Sequence, residues 1–464
     1  MNYVGTARPI HDARGKATGY TKYAGDLSLP NMAYLCMLHS KIPHGYVKAV
    51  HAEKALALPG VYGVYHCLNT TDRKYNRYRS NFDQSYLPNE ECAFNDYVRF
   101  VGDKIGVVAA CDQETAERAA RLVEVEYEEL PFSIGFDDTL AGKNCLDGET
   151  PVRDEYELDV GEKQGSAEGL IEVCSTMELP RLHHATMETH ACIADYDPYS
   201  DMLTVYCPNQ AVHGIRTVLA DFLEMPESHV RVVKATMGGS FGAKQEWFLE
   251  PVTALVAKKL CRPVKLVYSR GEAMTDTIVR GAMRMSARGY YTPDGEMKEI
   301  YCDVTLDAGA YIGNAGDYVR ALAGKPTRCY RIPYMHYHGQ IISSNSPVSG
   351  AFRSWSAAEE ALMMERQLDA AAEKLGMDRL AIRLKNVARS GEEDKKLHLS
   401  LEDIRIGDAI TLGSEKFGWD KLKAEDAAFN ASQQRYRRGV GIGIGGHGNT
   451  YFPRFNDYGE GSIS

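Results

Sequence analysis

The residues best suited to hold a ligand lie in a glycine-rich stretch at residues 237–244, Met-Gly-Gly-Ser-Phe-Gly-Ala-Lys. It follows a β-branched run and precedes an apolar-periodic segment that predicts a helix over residues 246–260. Glycines at a strand-to-helix turn let backbone N–H groups approach a bound group without side-chain obstruction. Ala243 stands before Lys244 where a Walker phosphate loop needs glycine, so this is not that phosphate site. The alternative is a turn that only packs a helix on a sheet.

Alternating strands and helices must position this turn. The pattern of apolar residues predicts strands at 32–38, 123–127, 203–207, 230–234, 264–268 and 300–306, and helices at 113–122, 211–223, 246–260 and 357–375. This alternation over 170–390 favours a mixed α/β architecture. An acidic, glycine-containing stretch at 136–168 is interpreted as a linker, and a glycine-rich strand is predicted at 438–446.

Composition and charge argue against several classes of function. The 464 residues carry a formal net charge of −10, which disfavours a nucleic-acid or anionic-membrane partner. No apolar run reaches the ~18 residues of a transmembrane helix. Eleven cysteines lie scattered without a C-x-x-C pair, which is typical of reduced thiols. These features predict a cytoplasmic globular protein of more than one domain.

Two further motifs lie on either side of the turn in the sequence. Gln210 follows a predicted strand and precedes a helix, whose first turn its amide could cap. The Ala-Phe-Arg element at 351–353 precedes the helix predicted at 357–375, where backbone N–H groups and a guanidinium could bind an anion. His184 and Glu188 lie four residues apart and could share a helix face as metal ligands, but a third ligand at suitable spacing is missing from the sequence.

Taken in order, these motifs resemble the xanthine dehydrogenase/aldehyde oxidase family, whose corresponding turn reads Gly-Gly-Gly-Phe-Gly-Gly-Lys. Residues 12–19 and 23–26 resemble the opening of that family's molybdenum subunit, and residues 98–103 resemble the signature of its small domain. The resemblance implies an α+β (mixed α/β) fold. Its expected domains are a small α/β hammerhead-type domain over 1–135, a linker over 136–168, a first molybdopterin-binding domain over 169–395, and an incomplete second one over 396–464.

The resemblance also implies roles at the cofactor. The Gln210 amide is expected to hydrogen-bond an oxo ligand of molybdenum, and Phe241 and Arg353 are expected near the metal without ligating it directly. The cofactor is expected to be molybdenum–molybdopterin, with the cytosine dinucleotide form left open. The residues expected to bind it are Gln210, Gly239, Ser240, Phe241, Gly242, Ala351, Phe352 and Arg353.

On the substrate side, Arg320 is expected as the catalytic cation that stabilises negative charge on a purine; its alternative is a solvated surface charge. Trp355, where xanthine-oxidising members place a phenylalanine, and Gln245 are expected to touch substrate, although Trp355 is equally well read as a core residue. Ser354 replaces the copper-binding cysteine of carbon monoxide dehydrogenases, which disfavours copper chemistry. The implied activity is xanthine dehydrogenase-like hydroxylation of an N-heterocycle, with oxygen from water. The alternatives are nicotinate or aldehyde oxidation, or an inactive cofactor-binding protein.

Partner subunits are expected as well. The family's catalytic glutamate belongs to a Gly-Glu-Pro-Pro-like element, and no Gly-Glu pair of this chain precedes proline. The family's iron–sulfur clusters need clustered cysteines, which this chain does not have. An iron–sulfur subunit and an FAD subunit are therefore expected. The chain is expected to be either one half of a split molybdenum subunit, with the other half as a further partner, or a truncated gene product. Residues 439–464 are expected to be poorly ordered or exposed in the isolated chain and buried in a hetero-oligomer.

Overall fold

The computed structural model describes residues 5–78, 88–146, 148, 150–163, 165, 168–396, 398–433 and 435–446. The strands, in chain order, are β1 Ala33–His39, β2 Gly45–His51, β3 Val61–His66, β4 Lys74–Tyr75, β5 Glu91–Cys92, β6 Tyr97–Val98, β7 Lys104–Ala110, β8 Glu124–Glu129, β9 Val152–Gly161, β10 Ile171–Leu179, β11 Ala191–Asp197, β12 Met202–Cys207, β13 Val230–Lys234, β14 Val264–Val267, β15 Ala282–Tyr291, β16 Met297–Asp307, β17 Tyr334–Ile342, β18 Glu393–Asp394 and β19 Leu399–Ser400.

None of the helices described is long and apolar enough to cross a membrane. In chain order the α-helices are α1 Ala13–Ala17, α2 Glu53–Leu56, α3 Gln113–Ala120, α4 Phe136–Leu140, α5 Val212–Phe222, α6 Glu250–Leu260, α7 Arg270–Asp276, α8 Ala315–Leu322, α9 Pro326–Cys329, α10 Ala357–Leu375, α11 Arg379–Asn386, α12 Ile406–Phe417 and α13 Trp419–Ser432. Short 3₁₀ turns lie at Ala24–Asp26 and Glu227–His229.

A seven-stranded sheet, in the order β13-β12-β11-β14-β1-β7-β3, carries the glycine turn. β1 pairs in parallel with β14, with Ala33 opposite Val264, and antiparallel with β7. β1 lies between β7 of the predicted first domain and β14 of the predicted cofactor domain. Strands of both predicted domains therefore share one sheet. Helices α5 and α6 contribute to its core, where Ile215 and Val252 are fully buried.

A five-stranded sheet, in the order β10-β15-β16-β17-β9, forms the second core. Helix α10 packs on it through Met363, Met364 and Leu368, which are fully buried. β9 pairs antiparallel with β17, so the stretch predicted as a linker contains a full strand as well as α4. The linker prediction was wrong here, because the exposed face of β9 carries acidic side chains that hide its alternation in the sequence: Glu155, Glu157 and Asp159.

Two other predicted elements differ in the structure. Helix α6 begins at Glu250 and not at residue 246, since Pro251 is tolerated only in the first turn of a helix. Residues 438–446 form no strand in the part of the chain described. There the Arg438 backbone bonds the Asn430 side chain through both its N–H and its carbonyl group. Ile442 and Ile444 nevertheless pack against the second core. Of residues 439–464, those from 447 onward lie outside the described residues.

Candidate functional site

The glycine turn and Gln210 follow the ends of two neighbouring parallel strands. β12 and β13 run parallel, with Cys207 opposite Lys234, so the segments that follow them leave the same edge of the sheet. The Gln210 N–H donates to the Lys244 carbonyl at 2.8 Å. The Ser240 hydroxyl donates to Gln210 Oε1 at 2.5 Å. The motif pair predicted from sequence is therefore joined by both backbone and side-chain hydrogen bonds.

The turn has a left-handed backbone that brings it against the Ala-Phe-Arg element. Phe241 has φ of 54° and Gly242 has φ of 105°, a region that disfavours residues other than glycine. A Cβ on Gly242 would lie 2.3 Å from the Ala351 carbonyl oxygen, so only glycine fits there. The Arg353 N–H donates to the Phe241 carbonyl at 2.7 Å. We call this contact of residues 239–242 with residues 351–353 the turn–loop junction.

A buried ion pair supports the turn from below. Glu188 Oε2 accepts hydrogen bonds from the Gly238 N–H at 2.7 Å and from Lys244 Nζ at 2.6 Å. Burial lowers the pKa of Lys244, and the Glu188 carboxylate opposes that shift. Glu188 thus has a structural partner, and no cluster of three or more metal-ligating side chains occurs among the described residues, so the His184–Glu188 metal hypothesis gains no support.

Phe352 is held by two side chains from other segments. The His184 ring stacks on it with centroids 4.2 Å apart, and the Arg280 guanidinium lies 4.4 Å from its centroid. His184 Nε2 bonds the Ala351 carbonyl at 2.8 Å, and Arg280 Nη2 donates to the Arg353 carbonyl at 2.7 Å. Burial lowers the pKa of His184 to about 4, so the ring is neutral at pH 7 and donates from Nε2.

Sequence reasoning assigned neither Arg280 nor His184 to the loop, because both reach it across long sequence distances. Arg280 also pairs with the buried Glu359 carboxylate on α10. Its backbone lies beside the His183–His184 region, since Arg280 and Leu182 form an isolated antiparallel bridge. The signal considered in the sequence was the spacing of His184 and Glu188, which was weighed as a metal site that lacked a third ligand.

Of the three residues expected to contact substrate, two lie near the turn–loop junction and one makes an ion pair elsewhere. Trp355 is half-buried two residues beyond the junction and meets the Tyr318 ring edge-on, with centroids 5.4 Å apart. Gln245, also half-buried, directly follows the turn. Arg320 instead pairs with Asp154 on β9 at 2.8 Å. Because Arg320 follows Tyr318 by two residues on α8, the two side chains leave the helix about 200° apart.

Several buried polar atoms near the junction lack partners in the described part of the chain. Both carboxylate oxygens of Glu246, both amide atoms of Asn314 and the Ser349 hydroxyl are of this kind. Burial raises the pKa of Glu246 to about 8, and Arg77 opposes the shift. A Cβ on Gly350 would lie 2.6 Å from Glu246 Oε1. Such unsatisfied groups beside glycine-cleared backbone suit a polar cofactor rich in donors and acceptors.

A large pocket in the described part of the molecule lies elsewhere. Its volume is about 1110 Å³, and residues of β1, α3, β8 and β14 line it, among them Cys36, Glu117 and Tyr268. It shares no lining residue with the turn–loop junction. The junction is accessible even so, since Gln210, Phe241 and Arg353 are all exposed beside it. We therefore place the candidate site by its contacts and not by cavity size.

Comparison with protein families agrees with this arrangement. Residues 151–387 match the molybdopterin cofactor-binding domain, and residues 18–131 match the aldehyde oxidase and xanthine dehydrogenase a/b hammerhead domain. The chain belongs to this family. The first match contains Gln210, the turn and the Ala-Phe-Arg element, which makes the junction part of a molybdopterin cofactor-binding domain.

Individual relatives give the extent of the similarity. The xanthine dehydrogenase molybdenum-binding subunit of Escherichia coli is 30% identical over 444 residues, covering 93% of this chain and 58% of that protein. The nicotinate dehydrogenase large molybdopterin subunit of Eubacterium barkeri is 30% identical over 384 residues, covering 82% of this chain and 88% of that protein. The chain thus spans little more than half of the Escherichia coli relative and most of the Eubacterium one.

Solved structures share the fold. Aldehyde oxidoreductase from Desulfovibrio gigas superposes with a TM-score of 0.83 at 24% identity, covering 91% of this chain and 47% of that one. Quinoline 2-oxidoreductase from Pseudomonas putida superposes with a TM-score of 0.81 at 24% identity, over 92% of this chain and 56% of that one. The hammerhead domain followed by a molybdopterin-binding domain is therefore the architecture of this chain.

Proposed function

We propose that this chain is the molybdopterin-binding part of a molybdenum hydroxylase that oxidises a flat N-heterocycle, with purines as the first choice. The observation that carries the proposal is the turn–loop junction, where Gln210, the glycine turn and Arg353 meet at one exposed point. When bound, molybdenum–molybdopterin supplies the redox chemistry that hydroxylates carbon with oxygen from water. The protein supplies binding, orientation and electrostatics.

The chain's residues have distinct parts in this proposal. The Ser240 hydroxyl occupies Gln210 Oε1, which leaves the amide NH₂ as the end that donates to an oxygen near the metal. Gly242 lets the Ala351 carbonyl lie against the turn, which brings residues 351–353 to the site. Gly239 and Phe241, which is 50% exposed, are proposed to contact the cofactor there. The Arg353 guanidinium, exposed on the same side, provides a cation for an anionic part of the cofactor.

Trp355 and Gln245 are proposed to contact the substrate, since both half-buried side chains directly flank the junction. An indole offers a flat face for stacking on a heterocycle. Arg320 is proposed as the cation that stabilises negative charge on the substrate. For that role its guanidinium would have to leave the Asp154 carboxylate, a pair of side chains about one-third exposed. The substrate role of Arg320 therefore needs a rearrangement that the roles of Trp355 and Gln245 do not.

Nicotinate is the second candidate substrate, because the chain is 30% identical over 384 residues to the nicotinate dehydrogenase large molybdopterin subunit of Eubacterium barkeri. Under either proposal an iron–sulfur subunit and an FAD subunit carry electrons away, and a second molybdenum-subunit half provides the catalytic glutamate. Aldehyde oxidation, and an inactive cofactor-binding protein, are the remaining alternatives.

The test is to co-express the chain with its candidate partner subunits and to measure molybdenum, pterin nucleotide and turnover. The substrate panel contains purines, nicotinate and aldehydes, with an artificial electron acceptor and oxygen-labelled water. The proposal expects bound molybdenum and label incorporation into a purine or nicotinate. Turnover of aldehydes alone would overturn the heterocycle assignment, and a complex free of molybdenum and pterin would overturn the cofactor assignment.

The chain by itself provides the control for partner dependence. Loaded with cofactor, it is expected to turn over ~10²–10⁴-fold more slowly than the complex, the usual effect of a missing general base. Turnover equal to that of the complex would show that the base lies within these 464 residues.

A further inference from the structure

The backbone around Trp355 is unusual for a segment without glycine. Ser354 has φ of 66° and Ser356 has φ of 56°, so Trp355 stands between two residues in the left-handed region. Non-glycine residues in that region store backbone strain and persist only where surrounding contacts enforce them. The Ser356 side chain does not cap helix α10, which begins at the next residue. Hydrogen bonds from the Ala357 and Ala358 N–H groups to the Ser354 carbonyl close a turn around Trp355. A side-chain group from outside the segment holds it as well.

Lys325, in the connection between α8 and α9, is that group. Its Nζ donates to the Trp355 carbonyl at 2.5 Å and to the Ser356 hydroxyl at 2.6 Å. Ser356 is fully buried, so the ammonium bonds the interior side of the segment. Arg280 donates to the Arg353 carbonyl, and Lys325 donates to the Trp355 carbonyl. Two cations therefore bond alternate carbonyls of residues 353–355.

Helix stability does not explain a lysine at this place. A cation beside the first turn of a 19-residue helix opposes the helix dipole. The charged groups facing Lys325 are Glu360 and Glu359 of α10, which favour its ammonium form, and Arg328 of α9, which disfavours it. Burial raises the pKa of Glu360 itself to about 8, so this carboxyl titrates in the same pH range as Lys325. The Lys396 side chain, including its ammonium Nζ, lies against Gly324, the residue before Lys325. Burial is the largest influence and lowers the pKa of Lys325 to about 8.

We propose that Lys325 is a positioning residue that sets the orientation of Trp355 through the Trp355 carbonyl and the Ser356 hydroxyl. The role of that orientation in substrate recognition rests on the proposed function, in which Trp355 contacts the heterocycle. The indole meets Tyr318 edge-on, and its buried Nε1 has no partner within the described residues. A small rotation of residues 354–356 would therefore change which face of the indole is available for stacking. It would also change the direction of the Nε1–H donor.

The decisive experiment uses the full chain alone, without cofactor, labelled with fluorotryptophan. The chain has three tryptophans, and Trp355→Phe assigns the relevant fluorine NMR signal. The pH dependence is followed in the Glu360→Gln background, because the pKa of Glu360 is also raised to about 8. There the Trp355 signal is expected to shift as Lys325 loses its charge. Lys325→Arg should abolish the shift while keeping the low-pH position, and Lys325→Met should displace and broaden the signal at every pH.

Lys396→Met is the matched control, because Lys396 donates to the Arg320 carbonyl and not to the Trp355 segment. It should leave the Trp355 signal unchanged. The proposal is overturned if Lys325→Met leaves the Trp355 signal unchanged at every pH, or if, in the Glu360→Gln background, Lys325→Arg titrates like the chain that keeps Lys325. If Lys325→Met fails to fold by circular dichroism, the arginine variant alone decides.

A second measurement separates this proposal from the proposed function. In the assembled enzyme, Lys325→Met should raise KM at least about tenfold, the usual effect of a lost charged hydrogen bond, while molybdenum content and most of kcat remain. Lys325→Arg should restore KM. An altered Trp355 signal with an unchanged KM would support the positioning role and overturn Trp355 as a substrate contact.

Discussion

The two ends of the 351–356 segment are held in different ways. At the turn–loop junction, backbone meets backbone: Gly242 lies against the Ala351 carbonyl, and the Arg353 N–H bonds the Phe241 carbonyl. Around Trp355, side chains from distant elements hold the backbone, with Lys325 on one carbonyl and Arg280 on another. The first arrangement tolerates almost no change of residue, whereas the second depends on the charge and reach of two cations. We therefore expect the junction to retain the cofactor and the Trp355 end to tune recognition.

The largest effect is expected at Gly242. A valine there would place Cβ 2.3 Å from the Ala351 carbonyl, on a backbone with φ of 105°. We expect Gly242→Val to lower molybdenum content of the assembled protein more than ~10-fold, since the junction cannot close. Elemental analysis of the purified complex measures it.

Gly376→Val is the matched control for that variant. Gly376 also has a positive φ, 65°, but a Cβ there meets nothing within 4 Å. It should cost only the ~1–2 kcal/mol of a left-handed side chain and leave molybdenum content unchanged. Equal metal loss in both variants would assign the effect to backbone strain and not to the junction.

Replacing Phe241 and Gly242 together by bulky charged residues should likewise abolish molybdenum retention while leaving the fold largely intact.

An intermediate effect is expected at Arg280. Arg280→Met would leave the Glu359 carboxylate, 1% exposed, without its ion-pair partner and remove the donor to the Arg353 carbonyl. Loss of one partner of a buried pair costs about 3–5 kcal/mol, which chemical unfolding measures.

The exposed Arg288, which lies over Tyr301, is the control for Arg280, and Arg288→Met should cost less than about 1 kcal/mol. The double variant Arg280→Met/Glu359→Gln should recover part of the lost stability. Similar losses in Arg280→Met and Arg288→Met would remove the basis for treating Arg280 as a buried support.

The smallest effect on stability is expected at Arg320. Its pair with Asp154 is 35% and 32% exposed, and exposed pairs contribute about 0–1 kcal/mol. Arg320→Gln should leave molybdenum content and unfolding unchanged while lowering kcat/KM for purines by ~10-fold or more, if its guanidinium reaches the substrate. Asp154→Asn, which frees the guanidinium, should not lower kcat/KM. Unchanged kcat/KM in Arg320→Gln would leave Arg320 as a surface ion pair.

The same contrast explains what the sequence could predict. Strand β13 over Val230–Lys234 and helix α10 over Ala357–Leu375 were predicted at their observed bounds, because each has a clear apolar period. Gln210 and the glycine turn were expected at one cofactor only through the family resemblance, and the hydrogen bond from Ser240 to Gln210 was not predicted. The backbone of a short turn restricts the residue types that it accepts, so such a turn can be predicted from its sequence.

Long-range side-chain contacts leave no comparable pattern. Nothing near Lys325 or Arg280 indicates that each bonds a carbonyl 30 or more residues away, and Arg320 looked suited either to substrate or to solvent. β9 was missed because its acidic face resembles a loop, and its partner β17 was not predicted either. Such contacts depend on the assembled sheet and not on local propensity.

The insertion of β1 beside β14 has a consequence for how the chain folds during synthesis. Ala33 pairs with Val264, so the ribosome must add some 230 residues before this part of the central sheet can close. Until then the growing chain presents β1 with one unsatisfied ladder, the kind of edge that invites aggregation. Contacts this distant in sequence slow folding and lengthen that exposure. A chain of the first 135 residues alone would expose this edge of β1 permanently. In the full chain, chaperone binding should be strongest before residue 264 leaves the ribosome.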